Sequence, residues 1–181
     1  MTVTFGHAEL TNGPSATTLH ITLAAEPLEL SWQHCGTTSD FLGDYFAKCC
    51  AKGVDQVDAR HSIGYLLNEI LENAVKFRHD GNIEISCSLD GNHFESEISN
   101  VIDPATAEKF QGLLTEILAR DPGELLLERI EANATDLDSS GSGLGLLTLM
   151  SDYDAKLGWR FTPDASNGSV NLKTVAALTF S

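Results

Sequence analysis

The sequence predicts an α+β fold, with helices packed on one face of a mixed, mostly antiparallel sheet. Three observations carry that expectation. An apolar period near 3.6 residues runs from Ile63 to Val75, period-two alternation flanks a tight turn between Ile83 and Ser99, and the glycine-rich run Gly141-Ser-Gly143-Leu-Gly145-Leu146 leads into another apolar helical stretch. Strands, two helices, a hairpin, further helices and a last hairpin follow one another with no internal repeat and no linker, which suits one domain over residues 1–181. At 181 residues such a domain buries a core without help from a disulfide or a metal.

The elements follow in order. Thr2–Phe5, Leu19–Leu23 and Leu28–Trp32 carry β-forming residues, with Gly13-Pro14 as the turn between the first two, so residues 1–35 read as an N-terminal strand extension. Ser39 or Asp40 suits the N-cap of a helix carrying Phe41, Leu42, Tyr45, Phe46 and Cys49. Asp58 suits the N-cap of the longest helix, whose Ile63, Leu66, Leu67, Ile70, Leu71, Ala74 and Val75 share one face and which Asp80-Gly81 ends. Ile83–Leu89 and Phe94–Ser99 form a hairpin around Asp90-Gly91-Asn92. Asp103-Pro104 reads as N-cap and first residue of a helix with Ala107, Phe110, Leu114, Ile117 and Leu118 on one face, stopped by Asp121-Pro122-Gly123. A short helix over Glu124–Ile130, a polar loop over Glu131–Gly143 and a helix over Leu144–Asp152 come next. Two strands, Lys156–Thr162 and Ser169–Phe180, close the series.

Composition excludes some functions. The net charge of −15 opposes binding to nucleic acid, which is held through Lys and Arg, and to the anionic surface of a membrane. It is compatible with ATP, because Mg²⁺ offsets phosphate charge and an array of backbone N–H groups favours an anion locally. Cys35, Cys49, Cys50 and Cys87 contain no C-x-x-C spacing and read as reduced thiols of a cytoplasmic protein. Residues 1–10 lack the basic start and apolar centre of a signal peptide, and no stretch reaches the ~20 apolar residues of a membrane span. The six histidines lie outside any motif, and Leu125-Leu126-Leu127 suits either the core or a homodimer interface.

Glu69, Asn73 and Lys76 stand at i, i+4 and i+7 and share one helical stripe. A carboxylate can orient a water or hydroxyl nucleophile, an amide oxygen is a hard ligand for Mg²⁺, and an ammonium neutralises phosphate. Taken alone, the same spacing also makes a solvated face with weak pairs such as Glu72 and Lys76. The glycines let the backbone approach a ligand or take positive φ, and a helix starting near Leu144 aims its free N–H groups at whatever precedes it. No Lys-Ser or Lys-Thr follows, so the run is not a P-loop. No strand precedes it and its sixth position is Leu146, so the dinucleotide fingerprint fails as well.

Together, Glu69-x-x-x-Asn73-Ala-x-Lys76, the hairpin and Gly141-x-Gly143-Leu-Gly145-Leu resemble the GHKL superfamily of histidine-kinase-like ATPases, over roughly residues 39–180. The resemblance implies a two-layer α/β sandwich of the Bergerat type, with ATP and Mg²⁺ as cofactors. It implies Glu69 as general base or water-orienting group, Asn73 as the Mg²⁺ ligand and Lys76 as the basic residue near the phosphates. Gly141, Gly143, Leu144 and Gly145 match the second glycine box, part of an ATP lid that would include Glu131–Ser140. The first glycine box departs from the family pattern. Asn100 stands where an Asp binds the adenine amino group, and Val101 and Ile102 replace glycines; a neutral acceptor holds that group more weakly. Ser169 loosely matches a Thr near the start of the last strand.

A free-standing domain of this size looks like the anti-sigma-factor and regulatory Ser/Thr kinase group. Leu28-Glu-Leu-Ser-Trp32 and Ser39-Asp-Phe-Leu42, with the degenerate first box, look most like its SiaB-like branch. The implied function is a Mg-ATP-binding Ser/Thr protein kinase acting on a small STAS-like or related partner protein in a partner-switching pathway. The alternative is a non-catalytic module that sequesters its partner, as an anti-sigma factor does.

Overall fold

The computed structural model describes residues 1–24, 32–79, 81–135 and 143–181, which form six strands and five helices. In chain order these are β1 (Val3–Gly6), β2 (Thr17–Leu23), α1 (Trp32–Cys49), α2 (Gln56–Phe77), β3 (Ile83–Asp90), β4 (His93–Ile102), α3 (Pro104–Leu118), α4 (Pro122–Thr135), α5 (Leu144–Asp152), β5 (Lys156–Pro163) and β6 (Val170–Thr179). The strands make one sheet in the order β1-β5-β6-β4-β3-β2, and every neighbouring pair is antiparallel. The expected mixed sheet is therefore corrected to a wholly antiparallel one. The reason lies in the β5–β6 hairpin. β4 and β5 run in the same direction, but the hairpin inserts β6 between them, so no parallel pair forms.

Alternation sets the two faces of the sheet. Phe94, Ile98 and Ile102 of β4 point inward, in line with Leu172 and Leu178 of β6 and Trp159 and Phe161 of β5. Three helices cover this face. Phe46 of α1 meets Phe94 edge to face at 5.2 Å, α2 packs on β4 and β6, and Phe110 of α3 meets Trp159 at 6.1 Å. α2 lays down Ala59, Ser62, Ile63, Leu66, Leu67, Ile70, Leu71 and Ala74 as one buried stripe. α1 crosses α2 closely at a glycine contact. A Cβ added at Gly43 would sit 2.8 Å from the Arg60 carbonyl oxygen.

Several expected details change. Gly13-Pro14 does not join a hairpin, because β1 and β2 occupy opposite edges of the sheet. The intervening segment crosses the outer face, where Thr11 and Asn12 donate to Glu95. α1 begins at Trp32, so neither Ser39 nor Asp40 caps it. Cys35, Ser39, Leu42 and Phe46 form its buried stripe, and that stripe holds the helix together about two turns further back than the apolar run beginning at Phe41 suggests. Asp55, not Asp58, caps α2, accepting from Val57 N at 2.8 Å and Asp58 N at 3.2 Å. Asp103 caps α3 as expected, accepting from Thr106 N at 2.9 Å. Glu131–Thr135 is the last part of α4 and not loop. Leu125 and Leu126 enter the core, whereas Leu127 is exposed. The strand expected over Leu28–Trp32 falls on residues 25–31, outside the described residues, and on Trp32, the first residue of α1. Among the described residues, no helix is long and apolar enough to cross a membrane.

Candidate functional site

Among the described residues, the helices leave part of the inner face of the sheet uncovered. A cavity of about 600 Å³ opens between α2, α3 and the start of α5, within the size range of small-molecule clefts. Its floor is Asn100 and Ile102 of β4, Trp159 of β5, and Leu172 and Thr174 of β6. One wall is the flank of α2, with Glu69, Asn73 and Lys76. The opposite wall is α3, with Thr106, Lys109, Phe110 and Leu113. Gly143, Gly145 and Leu146 close one end.

The expected stripe on α2 and the expected glycines, some seventy residues apart in the chain, thus meet at one cavity. Glu69, Asn73, Lys76, Asn100, Gly143 and Gly145 all line it. Leu144 does not; its side chain packs against the core. Gly141 and the segment 136–142 of the expected lid lie outside the described residues. Ser169 is set apart from the cavity and donates to Asn167 Oδ1 at 2.7 Å within the β5–β6 turn. The threonine of the last strand that reaches the cavity is Thr174.

Two glycines at the cavity are closely approached, for distinct reasons. Gly143 is the N-cap of α5 with φ 87°, a left-handed conformation that side chains disfavour, and a Cβ there would crowd the Arg129 guanidinium at 2.9 Å. Gly145 lies under the Glu69 carboxylate, and a Cβ at this position would displace that carboxylate from where it sits. Gly143 itself brings no capping side chain to the first turn of α5, and that turn lines the end of the cavity.

The two ends of the cavity differ in chemistry. The helices supply all of its charged side chains, set among apolar ones such as Ile70, Phe110 and Leu113. Glu69 is half-buried, and burial raises its carboxyl above the usual range. The negative charge of Glu72 raises it further, while a hydrogen bond from Tyr65 opposes both. Tyr65 itself stacks on Tyr153 at 5.0 Å and bonds Thr148 of α5, so Glu69 is braced from a second helix. The Lys76 Nζ stands over the Phe77 ring at 5.1 Å, and Lys109 of α3 also lines the cavity. Two of only 11 Lys and Arg residues, in a chain with 26 Asp and Glu, therefore border this cavity.

Toward the sheet the cavity is apolar, with Trp159 1% exposed and Leu172 6% exposed, apart from two buried polar side chains, Asn100 and Thr174. The Asn100 Nδ2 has no hydrogen-bond partner among the described residues. Among those residues no cluster of three or more His, Cys, Asp or Glu could hold a metal ion. A cation here would be bound through Asn73, with ligand oxygens and waters completing the shell, which is how Mg²⁺ is commonly held.

Thr174, Lys109, Thr106, Trp159 and Phe110 were not among the expected site residues. Thr174 carried one readable signal: in Val170, Leu172, Thr174, Ala176 and Leu178 it is the polar member of an inward-facing series. Comparison of the chain with family models, with curated proteins and with solved structures finds no match.

Proposed function

We propose that this protein binds Mg-ATP in the cavity between α2, α3 and α5, with a Bergerat-type fold, and acts as a GHKL-like regulatory Ser/Thr kinase on a small STAS-like partner protein. One observation supports the reading: Glu69, Asn73 and the start of α5 converge on a cavity whose floor holds a buried amide with no partner for its nitrogen among the described residues. The apolar floor with Asn100 and Thr174 suits a flat base. The α5 N–H groups, Lys76 and Lys109 suit phosphates. Asn73 holds the cation, and Glu69 orients the partner hydroxyl and takes up its proton. Mg²⁺ supplies charge neutralisation on the transferring phosphoryl group when bound.

Calorimetric titration with ATP, with and without Mg²⁺, tests this. Asn73→Ala is expected to weaken ATP binding about tenfold when Mg²⁺ is present and to leave metal-free binding unchanged. Equal affinity with and without the metal in the unsubstituted protein removes the role assigned to Asn73.

A second reading, a non-catalytic module that sequesters its partner, is favoured by one feature. β4 continues through Val101 and Ile102 directly into the Asp103 cap of α3, so a strand and a helix start stand where the family has a glycine loop. The pocket would then hold nucleotide as a fixed structural ligand, and the partner would dock without phosphate transfer.

A further inference from the structure

We propose that the base end of the cavity reads an adjacent acceptor and donor on a purine edge, and so takes adenine and guanine nucleotides alike. This rests on the nucleotide reading above. Asn100 is 4% exposed, lines the cavity, and keeps an Nδ2 without a partner among the described residues. An N–H withheld from water without an acceptor is unfavourable, and a ligand acceptor that reaches the nitrogen once the Asn100 side chain turns toward the cavity removes the penalty. A carboxylate at this position would recognise donors only. An amide offers a donor and an acceptor side by side in one plane.

Adenine presents N1 as acceptor beside its N6 amino donor. Guanine presents O6 as acceptor beside its N1–H donor. The two edges run in opposite order, and a half-turn of the Asn100 amide matches either. The second polar group on the floor has the same freedom. Thr174 is 7% exposed, and its strand position pairs with Ile98, two residues before Asn100 on the same inward face. Its hydroxyl can donate or accept. The described strands of the floor contribute no charged side chain to the cavity, so none of these residues commits the site to one purine.

The test is titration of the full chain with Mg-ATP and Mg-GTP, repeated on Asn100→Leu, a substitution of similar size without polar atoms. The expected result is affinities for ATP and GTP within tenfold of each other in the unsubstituted protein, and a loss of about tenfold for both in Asn100→Leu. The ligand-free variant should melt at the same temperature or higher, because the unpaired N–H is gone. A preference for either nucleotide beyond tenfold in the unsubstituted protein overturns the inference while leaving nucleotide binding intact. So does an Asn100→Leu variant that binds both as before, since the affinity then comes from the phosphates alone. Binding of neither nucleotide overturns the nucleotide reading itself.

Discussion

Glu95 and Asn100 lie five residues apart on β4, point to opposite faces of the sheet, and are both almost fully buried. Their surroundings differ completely. Glu95 accepts from Thr11 N at 2.7 Å, Thr11 Oγ1 at 2.6 Å and Asn12 N at 2.8 Å, and His93 Nε2 stands 3.2 Å away. It fastens the segment between β1 and β2 across the outer face. Asn100 lines the cavity, and its amide nitrogen, itself buried, has no partner among the described residues. A buried polar group whose bonds are all made within the chain serves the fold. One left incomplete beside a cavity asks for an explanation, and here the proposed ligand supplies it.

Glu69, on the cavity side with Asn100, gives the sharpest test of that contrast. If the incomplete face is the working one, Glu69→Gln should reduce phosphate transfer to a partner protein by about 10²–10⁴ while nucleotide binding persists. Partner regulation in cells that survives this change would instead favour the sequestering module. On the complete face, Glu95→Ala should leave nucleotide binding alone. It should cost about 2–3 kcal/mol in urea unfolding, because the Thr11 and Asn12 donors lose a charged acceptor. If the variant is as stable as the unsubstituted protein, the outer-face segment is not held by Glu95.

The smallest effect is on pH dependence, and its sign is opposite on the two faces. Burial alone would raise the Glu95 carboxyl, but the bonds from Thr11, Asn12 and His93 outweigh it and hold it below its ordinary 4.5. Its contribution to stability is therefore present above that value and lost as pH falls through the lower folded-state value. Glu69 is raised, chiefly by burial, so its contribution is fully present below 4.5 and lost as pH rises through its folded-state value. Thermal melts across pH should show Glu95→Gln flattening the acid limb and Glu69→Gln flattening the decline on the other side of 4.5.

Much of this arrangement could be read from residue order, and the rest could not. The α2 stripe and the β3–β4 hairpin rest on local periodicity and on Gly91, which takes φ 62° in a loop of two residues. The convergence of Asn73 with Gly143 and Gly145 came from the motifs alone. The placement of β1 and β2 at opposite edges depends on pairings between residues far apart in the chain, such as Phe5 with Trp159, which no local pattern encodes. Lys109 looked like any solvated helix position, because its approach to the cavity depends on how α3 packs over Trp159. The true start of α1 was hidden because Cys35 and Ser39 are small residues whose inward orientation emerges only against α2.

The position of β6 has a consequence for how the molecule assembles. It is third from the edge and hydrogen-bonded on both sides, yet it follows every other strand in chain order. Until it docks, β4 and β5 each present a bare edge bearing Ile98 or Trp159, and the nascent chain is open to wrong pairings with other copies. The strand that completes the cavity floor is thus also the one that removes these sticky edges, so shielding from aggregation and formation of the cavity arrive in the same folding event.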